Sequence, residues 1–548
     1  MFLKNYKKTI LCIIFLILSI IYTFLFSPHS SIKMIENYDI LFHLGRIASL
    51  QNIFTSPVNF NYWSHIGNLT NLFYPWLTIY PAFIFSKIVG NTLIGFLMFL
   101  TLVTWLTFMS SYYFMLKFSR SELQAALFSV IYTLSFFRMA NVFCRTGVAE
   151  YTAYIFMPMV FCAYAGILCK NYHWWPVLAL GYSLIVLTHP LTAFMTGIMF
   201  VPPLILLLLH KDTRSWSYWL RLIKTGIKTI MLVAIITCGY WLPVEEQNYN
   251  IPMRRPLTLV LSQTAKTPLQ IIQGLGQSQL WSYSLGIIMG VALLALLVFV
   301  WKDSFVYQIV AIEAIVAIIL STNLIPWQYL QNTFFNYLQF PWRFLNLATF
   351  FLAVYLSHVL VIIYKWSQSK SQILFLSAII VICSVQVVGS ATSVYQRTTN
   401  IPILPYAQSN SLTSANIEHL NRNFTQRDYY PLASNADADS LEQHQSIING
   451  NMVKLPIKTT TNTYQTHYYS KKRTTLDLPV IYYPGIKAVV NRNLVTKQVS
   501  SRGTIAIPVH KGANRIILQG SYSELAQISF IISILGILVT GSLIFRYW

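Results

Sequence analysis

Twelve apolar runs punctuate the chain, at 9–27, 92–117, 122–138, 149–169, 174–189, 191–209, 224–243, 280–301, 304–321, 345–364, 371–389 and 525–545. Each is near the ~20 residues that a helix needs to cross a bilayer. The first follows Lys4, Lys7 and Lys8 as a signal peptide would, but no small-residue cleavage site comes after it, and its length suits a retained span. Between the first two runs, Glu36 to Ile47 has a helical period of its own. Ile40, Leu41, Leu44 and Ile47 fall on one face, and Asp39, His43 and Arg46 follow one another at i, i+4 and i+7 on another. The pattern predicts an amphipathic helix lying on the outer membrane surface or on helix tops, its polar stripe at the edge of a water-filled cavity. A second such stretch opens with Asn71-Leu72-Phe73-Tyr74-Pro75-Trp76 and runs to about Val89, either at the interface or re-entrant.

After residue 390 the pattern changes. Short runs such as Thr474 to Leu478, Lys487 to Val490 and Gly503 to Ile507, broken by Gly, Pro and Asn, predict strands of a small β-sandwich, while 408–450 reads as loop or helix. The expected fold is mainly α, a polytopic membrane protein of about twelve transmembrane helices with a C-terminal extracytoplasmic β-sandwich-like domain. It divides into 1–389, a transmembrane part with an outer first loop at 28–91; 390–524, the β-rich domain; and 525–548, a final transmembrane helix.

Composition agrees with this division. A chain of 548 residues that is 55% hydrophobic and only 10% charged is not an ordinary soluble globule. Its 38 basic and 16 acidic residues leave a formal charge of +22. With the N-terminus in the cytoplasm, Lys117 with Arg120, Lys170, Lys211 with Arg214 and Arg221, Lys302, Lys365 with Lys370, and Arg546 all fall in inner connections, as the positive-inside rule asks. The excess charge is therefore loop bias in a multi-pass protein of the cell membrane, and no nucleic-acid partner is expected. The six cysteines lie in or beside apolar runs, so no disulfide framework or zinc site is written in the sequence.

Charged groups at the mouth of a membrane bundle need a reason. The outer turn Arg138 to Glu150 is unusually polar for a helix junction. Glu150 can simply favour the first turn of the next helix through the dipole, or it can orient a hydroxyl or an arginine while Arg138 or Arg145 holds an anionic headgroup with its planar fork. His189, before Pro190, reads first as a hydrogen-bonded helix-end residue. Arg343, in Phe340-Pro341-Trp342-Arg343-Phe344, either snorkels toward headgroups or clamps a lipid-linked phosphate. Glu313 is the one acid placed mid-span, and a single carboxylate makes a poor proton relay.

The motif Asn37 to Ile47, the Tyr74-Pro75 segment, Arg145 to Glu150 with Pro158 beyond, Gln339 to Phe344, and Leu478 to Gly485 in the tail together resemble one family. It is that of the bacterial membrane proteins labelled "6-pyruvoyl-tetrahydropterin synthase-related", which look like type C glycosyltransferases. The label does not describe the chemistry, since a soluble pterin synthase needs a zinc-binding histidine trio and a small α/β domain, and this chain offers neither. What the resemblance implies is an outward catalytic acid in the first loop, a polyprenyl-phosphate-linked sugar as donor, a surface glycan acceptor and an extracytoplasmic C-terminal domain. Asp39 matches that acid and His43 stands beside it. Arg46, Arg138, Arg145 and Arg343 are then candidates for the donor phosphate, with Glu150, His189 and Tyr74 as supporting polar groups. The resemblance also allows a divalent cation, for which the sequence offers no ligand set. A flippase of lipid-linked intermediates would call for broken midplane helices or internal repeats, neither of which is evident. A non-catalytic scaffold with a glycan-binding β-domain would make Asp39 dispensable.

Overall fold

In the computed structural model, which describes residues 2–27, 32–33, 39–210, 215–254, 258–277, 279–367, 369–396, 411–423, 427–434 and 437–547, the apolar runs are helical. The chain opens with α1 (Phe2–Phe26) and the short α2 (Asp39–Ala48). The long α3 (Thr92–Ser119) follows, its start capped by the Asn91 side chain, which accepts from the N–H groups of Leu93 and Ile94. Next come α4 (Glu122–Thr133), α5 (Val148–Ala153), α6 (Met157–Leu168) and α7 (Pro190–Ile198). The remaining helices used below are α8 (Trp216–Asn250), α9 (Phe305–Leu320), α10 (Leu345–Trp366), α11 (Ile417–Asn423) and α12 (Glu524–Tyr547).

Among the described residues, eight helical stretches are long and apolar enough to cross a membrane: Lys8–Phe26, Thr92–Ser119, Glu122–Arg145, Pro190–Leu209, Trp216–Asn250, Pro341–Trp366, Ser377–Val394 and Glu524–Tyr547. The other four expected runs are shorter helices. The run 149–169 breaks into α5 and α6 because Pro158, in the first turn of α6, has no N–H to continue the preceding helix. The run 174–189 is helical only over Trp175–Val186, and the last two are Gly286–Phe299 and Phe305–Leu320.

At 35 residues, α8 is about 50 Å long and outruns the hydrocarbon layer. Its far end enters the C-terminal lobe, where Gln247 Nε2 donates to the Tyr482 carbonyl at 2.9 Å. The final helix α12 packs along it. The Gly239 N–H donates to Ser533 Oγ at 2.8 Å, and a Cβ on Gly536 would come within 2.8 Å of the Ile235 side chain, so small residues set this approach.

The tail forms the expected sandwich. One antiparallel sheet has strand order β8 (Gln498–Val499), β9 (Thr504–Val509), β5 (Thr474–Ile481), β1 (Gln445–Ile448) and β2 (Asn451–Lys454). The other runs β3 (Ile457–Thr459), β4 (Thr463–Ser470), β10 (Gly512–Gln519), β6 (Lys487–Val490) and β7 (Asn493–Val495). Leu476, Leu478 and Ile507 of the first sheet share one buried core with Tyr464, Val490, Ile516 and Leu518 of the second. That core also takes in Val58, Phe60, Ile66, Leu69 and Leu72 of the first loop. Hydrogen bonds pin the seam: Asn52 Nδ2 to Asn462 Oδ1 at 2.6 Å, the Phe60 N–H to the Thr461 carbonyl at 3.1 Å, and the Ile481 N–H to the Ile66 carbonyl at 2.9 Å. Gly67, with φ +70°, lets the loop turn where a Cβ would meet Phe60, Val58 and Val480 at 3.1 to 3.3 Å.

This closure changes the expected setting of α2. Instead of lying at a surface with one polar stripe, it is buried from Ile40 through Ala48 except for the half-buried Phe42, because α3 packs on it from the bundle and α11 from the C-terminal region. A Cβ on Gly45 would stand 3.2 Å from the Trp63 ring. Trp63, Ser64 and His65 hold φ values of +58°, +53° and +59°, a left-handed turn that costs L residues roughly 1–2 kcal/mol each. It is held by Trp63 Nε1 donating to Ser49 Oγ at 3.2 Å and by the His65 ring against the Phe60 carbonyl at 2.6 Å.

Within the sandwich, Arg502 Nε donates to Asp477 Oδ2 at 2.9 Å, and Thr504 Oγ1 donates to Oδ1 at 2.5 Å. Both members of this ion pair are buried. Arg502→Ala should therefore lower stability by about 3–5 kcal/mol, read as a lower melting temperature of the purified protein.

Candidate active site at the mouth of the bundle

Asp39 is the first residue of α2, where the helix dipole favours a carboxylate. Its side chain keeps 40% of its surface open, while Arg145 opposite is 12% exposed. The two stand 3.8 Å apart, Nε to Oδ2. Arg145 is itself anchored: Nη1 donates to Glu150 Oε2 at 2.6 Å, and the other Glu150 oxygen accepts from Asn141 Nδ2 at 3.2 Å. Glu150 thus both occupies the first turn of α5 and orients the arginine, combining the two roles read from sequence. The backbone makes this possible through a π-helical turn, Ala140–Arg145, ended by Thr146 in the left-handed region at φ +53°. Such turns aim side chains that a regular helix would not bring together.

Tyr74 is the hub on the other side. Its ring meets the His43 ring edge-on at 6.0 Å and the His189 ring nearly parallel at 6.5 Å, and the Arg46 guanidinium lies over it at 4.2 Å. Arg46 is committed within the protein. Nε donates to Asn71 Oδ1 at 3.2 Å, and Nη2 donates to the Tyr74 and Pro75 carbonyls at 3.1 and 2.7 Å. Arg138 is likewise turned inward. It is fully buried, donates to the Thr133 carbonyl and to Thr104 Oγ1 at 3.2 Å each, and lies 5.5 Å from the Tyr22 ring. Of the four arginines expected at the phosphate, these two donate inside the protein, Arg46 to the first loop and Arg138 to Thr133 and Thr104.

Arg343 remains. Nη1 donates to the Leu338 carbonyl at 2.9 Å and to Gln339 Oε1 at 3.2 Å, and among the described residues no carboxylate pairs with it. Its charge nevertheless acts on Asp39, Glu150 and His189, which places it in the same cluster. Trp342 beside it lies 5.7 Å under the Arg145 guanidinium and stacks on Tyr283 at 4.7 Å. His189 Nδ1 is 2.7 Å from Thr192 Oγ1, the hydrogen-bonded helix-end setting expected of it.

Burial in the cleft raises the Asp39 pKa above the usual aspartate value. The Arg145 and Arg343 guanidiniums pull it down, and Asp428 and Glu150 push it further up. Asp428 and the neighbouring Tyr429 were invisible in the sequence. They come from the irregular stretch before the sandwich, and Tyr429 stacks on Phe73 at 5.2 Å. Burial, with Arg46, Arg145 and His189 around it, holds His43 well below the imidazole range, so it is neutral at pH 7. Its Nδ1 has no hydrogen-bond partner. The arrangement brings together a half-open carboxylate able to take a proton and two cations able to meet an anion. Among the described residues no three His, Cys, Asp or Glu side chains converge as an all-protein set for the divalent cation that the resemblance allows.

No family model matches the chain, and no curated protein matches it. Among solved structures it is similar to the arabinofuranosyltransferase AftD from Mycobacteria, at 15% identity and a TM-score of 0.43, over 70% of this chain and 26% of that one. The chain therefore spans about a quarter of that protein's length.

If Arg46 is structural, Arg46→Lys should lose the forked grip on the Tyr74 and Pro75 carbonyls and lower stability by about 1.5–3 kcal/mol, measured by thermal unfolding. Arg145→Lys, which keeps a cation facing Glu150, should cost less.

Proposed function

We propose that the protein is a membrane glycosyltransferase that moves a sugar from a polyprenyl-phosphate donor to an acceptor hydroxyl of a surface glycan, with Asp39 as the base. The observation that carries this reading is the half-open Asp39 carboxylate 3.8 Å from Arg145, in a cluster with the unneutralised Arg343. The resemblance of the first-loop and Phe340 to Phe344 motifs to type C enzymes supports the same assignment.

In the proposed step the acceptor oxygen attacks the anomeric carbon while its proton passes to Asp39. The bond from that carbon to the phosphate oxygen breaks, and its electron pair leaves with the polyprenyl phosphate. Arg145, held by Glu150, and Arg343 meet the growing negative charge from fixed positions, which is where a preorganised cation stabilises a transition state most. Neutral His43 and Tyr74 line the sugar side. The aromatic groups around them limit water, and a mouth at the membrane face lets the donor keep its lipid tail in the bilayer. In this reading the N-terminus is cytoplasmic, and the first loop and sandwich lie outside the cell membrane.

Two measurements test these assignments. Transfer in purified membranes should depend on ionised Asp39, so the rate should fall on the acid side through a pKa above the ~3.9 of free aspartate. Arg145→Gln removes a charge that lowers this pKa, so the acid limb should move to higher pH along with a lower rate; an unmoved limb would separate Asp39 from the titration. Asp39→Asn should cut the rate by at least about 10²-fold at normal protein yield. For the topology, Tyr469→Cys in a cysteine-free background, at a position 70% exposed, should react with an impermeant maleimide in intact cells. Trp216→Cys, 74% exposed, should react only after permeabilisation.

A further inference from the structure

The bundle contains a second polar group that the Asp39 site does not use. Glu313, in the middle of α9, is 2% exposed, and neither of its carboxyl oxygens has a hydrogen-bond partner. It borders a cavity of about 100 Å³ whose wall carries Phe114 and Phe118 of α3, Phe161 of α6, and Phe350 and Phe351 of α10. Phe350 lies two helical turns along the chain from Arg343, so the cavity is deeper in the bundle than the mouth beside Asp39. Besides Glu313 the polar side chains lining it are the Cys162 and Cys169 thiols and Tyr164, whose hydroxyl donates to the Phe200 carbonyl at 2.6 Å; there is no Lys, Arg or His among them.

A carboxyl group in such a wall is left wanting in either state. Ionised, it has no cationic side chain in the wall, and the Tyr164 hydrogen is already given to the Phe200 carbonyl; neither of its oxygens has a hydrogen-bond partner. Aromatic faces around an acid add a second preference, because their negative centres attract an ammonium group and apolar substituents alike.

We propose that this cavity is a binding site for a lipophilic amine, with Glu313 as its counter-ion. The amine enters uncharged from the bilayer. The Glu313 O–H bond breaks, its proton goes to the nitrogen lone pair, and an ammonium–carboxylate pair forms with no net charge brought into the membrane. The pair gives both oxygens their missing hydrogens, and the phenyl rings surround the cation and its apolar body. A neutral alcohol of the same shape can meet the carboxyl with one hydrogen bond but cannot form the ion pair. The site is independent of the chemistry assigned to Asp39, and its test does not require sugar transfer.

The full chain in phosphatidylcholine nanodiscs should be titrated with radiolabelled 2-phenylethylamine and with 2-phenylethanol as its neutral counterpart, subtracting empty discs. The expected result is saturable amine binding, at least tenfold tighter than the alcohol, and at least tenfold weaker in Glu313→Gln with alcohol binding unchanged. A second measurement uses the unaltered protein, in case the variant does not fold. Dicyclohexylcarbodiimide, which attacks protonated carboxyls in apolar surroundings, should label Glu313 by peptide mass spectrometry, and the amine but not the alcohol should prevent it. Absence of saturable amine binding, equal binding of amine and alcohol, full amine affinity in folded Glu313→Gln, or labelling that the amine does not prevent would each overturn the proposal.

Discussion

The first loop inserts Val58, Phe60, Ile66, Leu69 and Leu72 into the same buried core as the two sheets of the sandwich, and the mouth of the bundle beside Asp39 is arranged around that closure. Burial of five such side chains stabilises this closure by roughly 1.5–3 kcal/mol each. Once the loop is fixed, Asn71, Tyr74 and Pro75 are fixed with it, and Arg46 ties their acceptor atoms to α2. The start of α2, and therefore Asp39, is set by contacts made a full domain away in sequence.

The site separates a wet carboxylate from dry cations. Asp39 keeps 40% of its side chain exposed, whereas Glu150 is buried and pairs with Arg145. A Glu150 without Arg145 would be a buried carboxylate with no ion-pair partner among the described residues. The pair therefore presents an arginine at a defined angle, with its Nε edge toward Asp39. Arg343 adds a cation whose partners are a carbonyl and an amide rather than a carboxylate.

Much of this was legible in the residues. The apolar runs announced the helices, the short runs after residue 450 announced strands that the structure places at β5, β6 and β9, and the polar stretch before Glu150 announced a helix junction. Helical spacing also put Asp39 and His43 on one side of α2. It misread Arg46 because spacing says which face a residue occupies but not what covers that face. Here the cover is the first loop's own chain at Asn71 to Pro75. Arg138 was placed with Arg145 because they share a turn, yet the π-helical geometry of 140–145 sends them in different directions, and no residue pattern encodes that register change. Asp428 and Tyr429 reach the site from an aperiodic stretch, where only the tertiary closure of the C-terminal lobe brings them near. Four of the expected runs form helices shorter than 18 residues for a local reason, since an apolar run remains apolar across a break such as the one before Pro158.

The central claim is that Asp39, Arg145 and Arg343 form one site for a phosphate and the hydroxyl that displaces it. A cryo-electron-microscopy map of the full chain in nanodiscs with polyprenyl phosphate tests this most directly. The account predicts phosphate density within hydrogen-bond reach of both Arg145 and Arg343, Asp39 facing it across the open part of the cleft, and the lipid tail leaving between helices. Phosphate density held by other residues, with Arg145 still closed on Glu150 and Asp39 facing empty solvent, would contradict it.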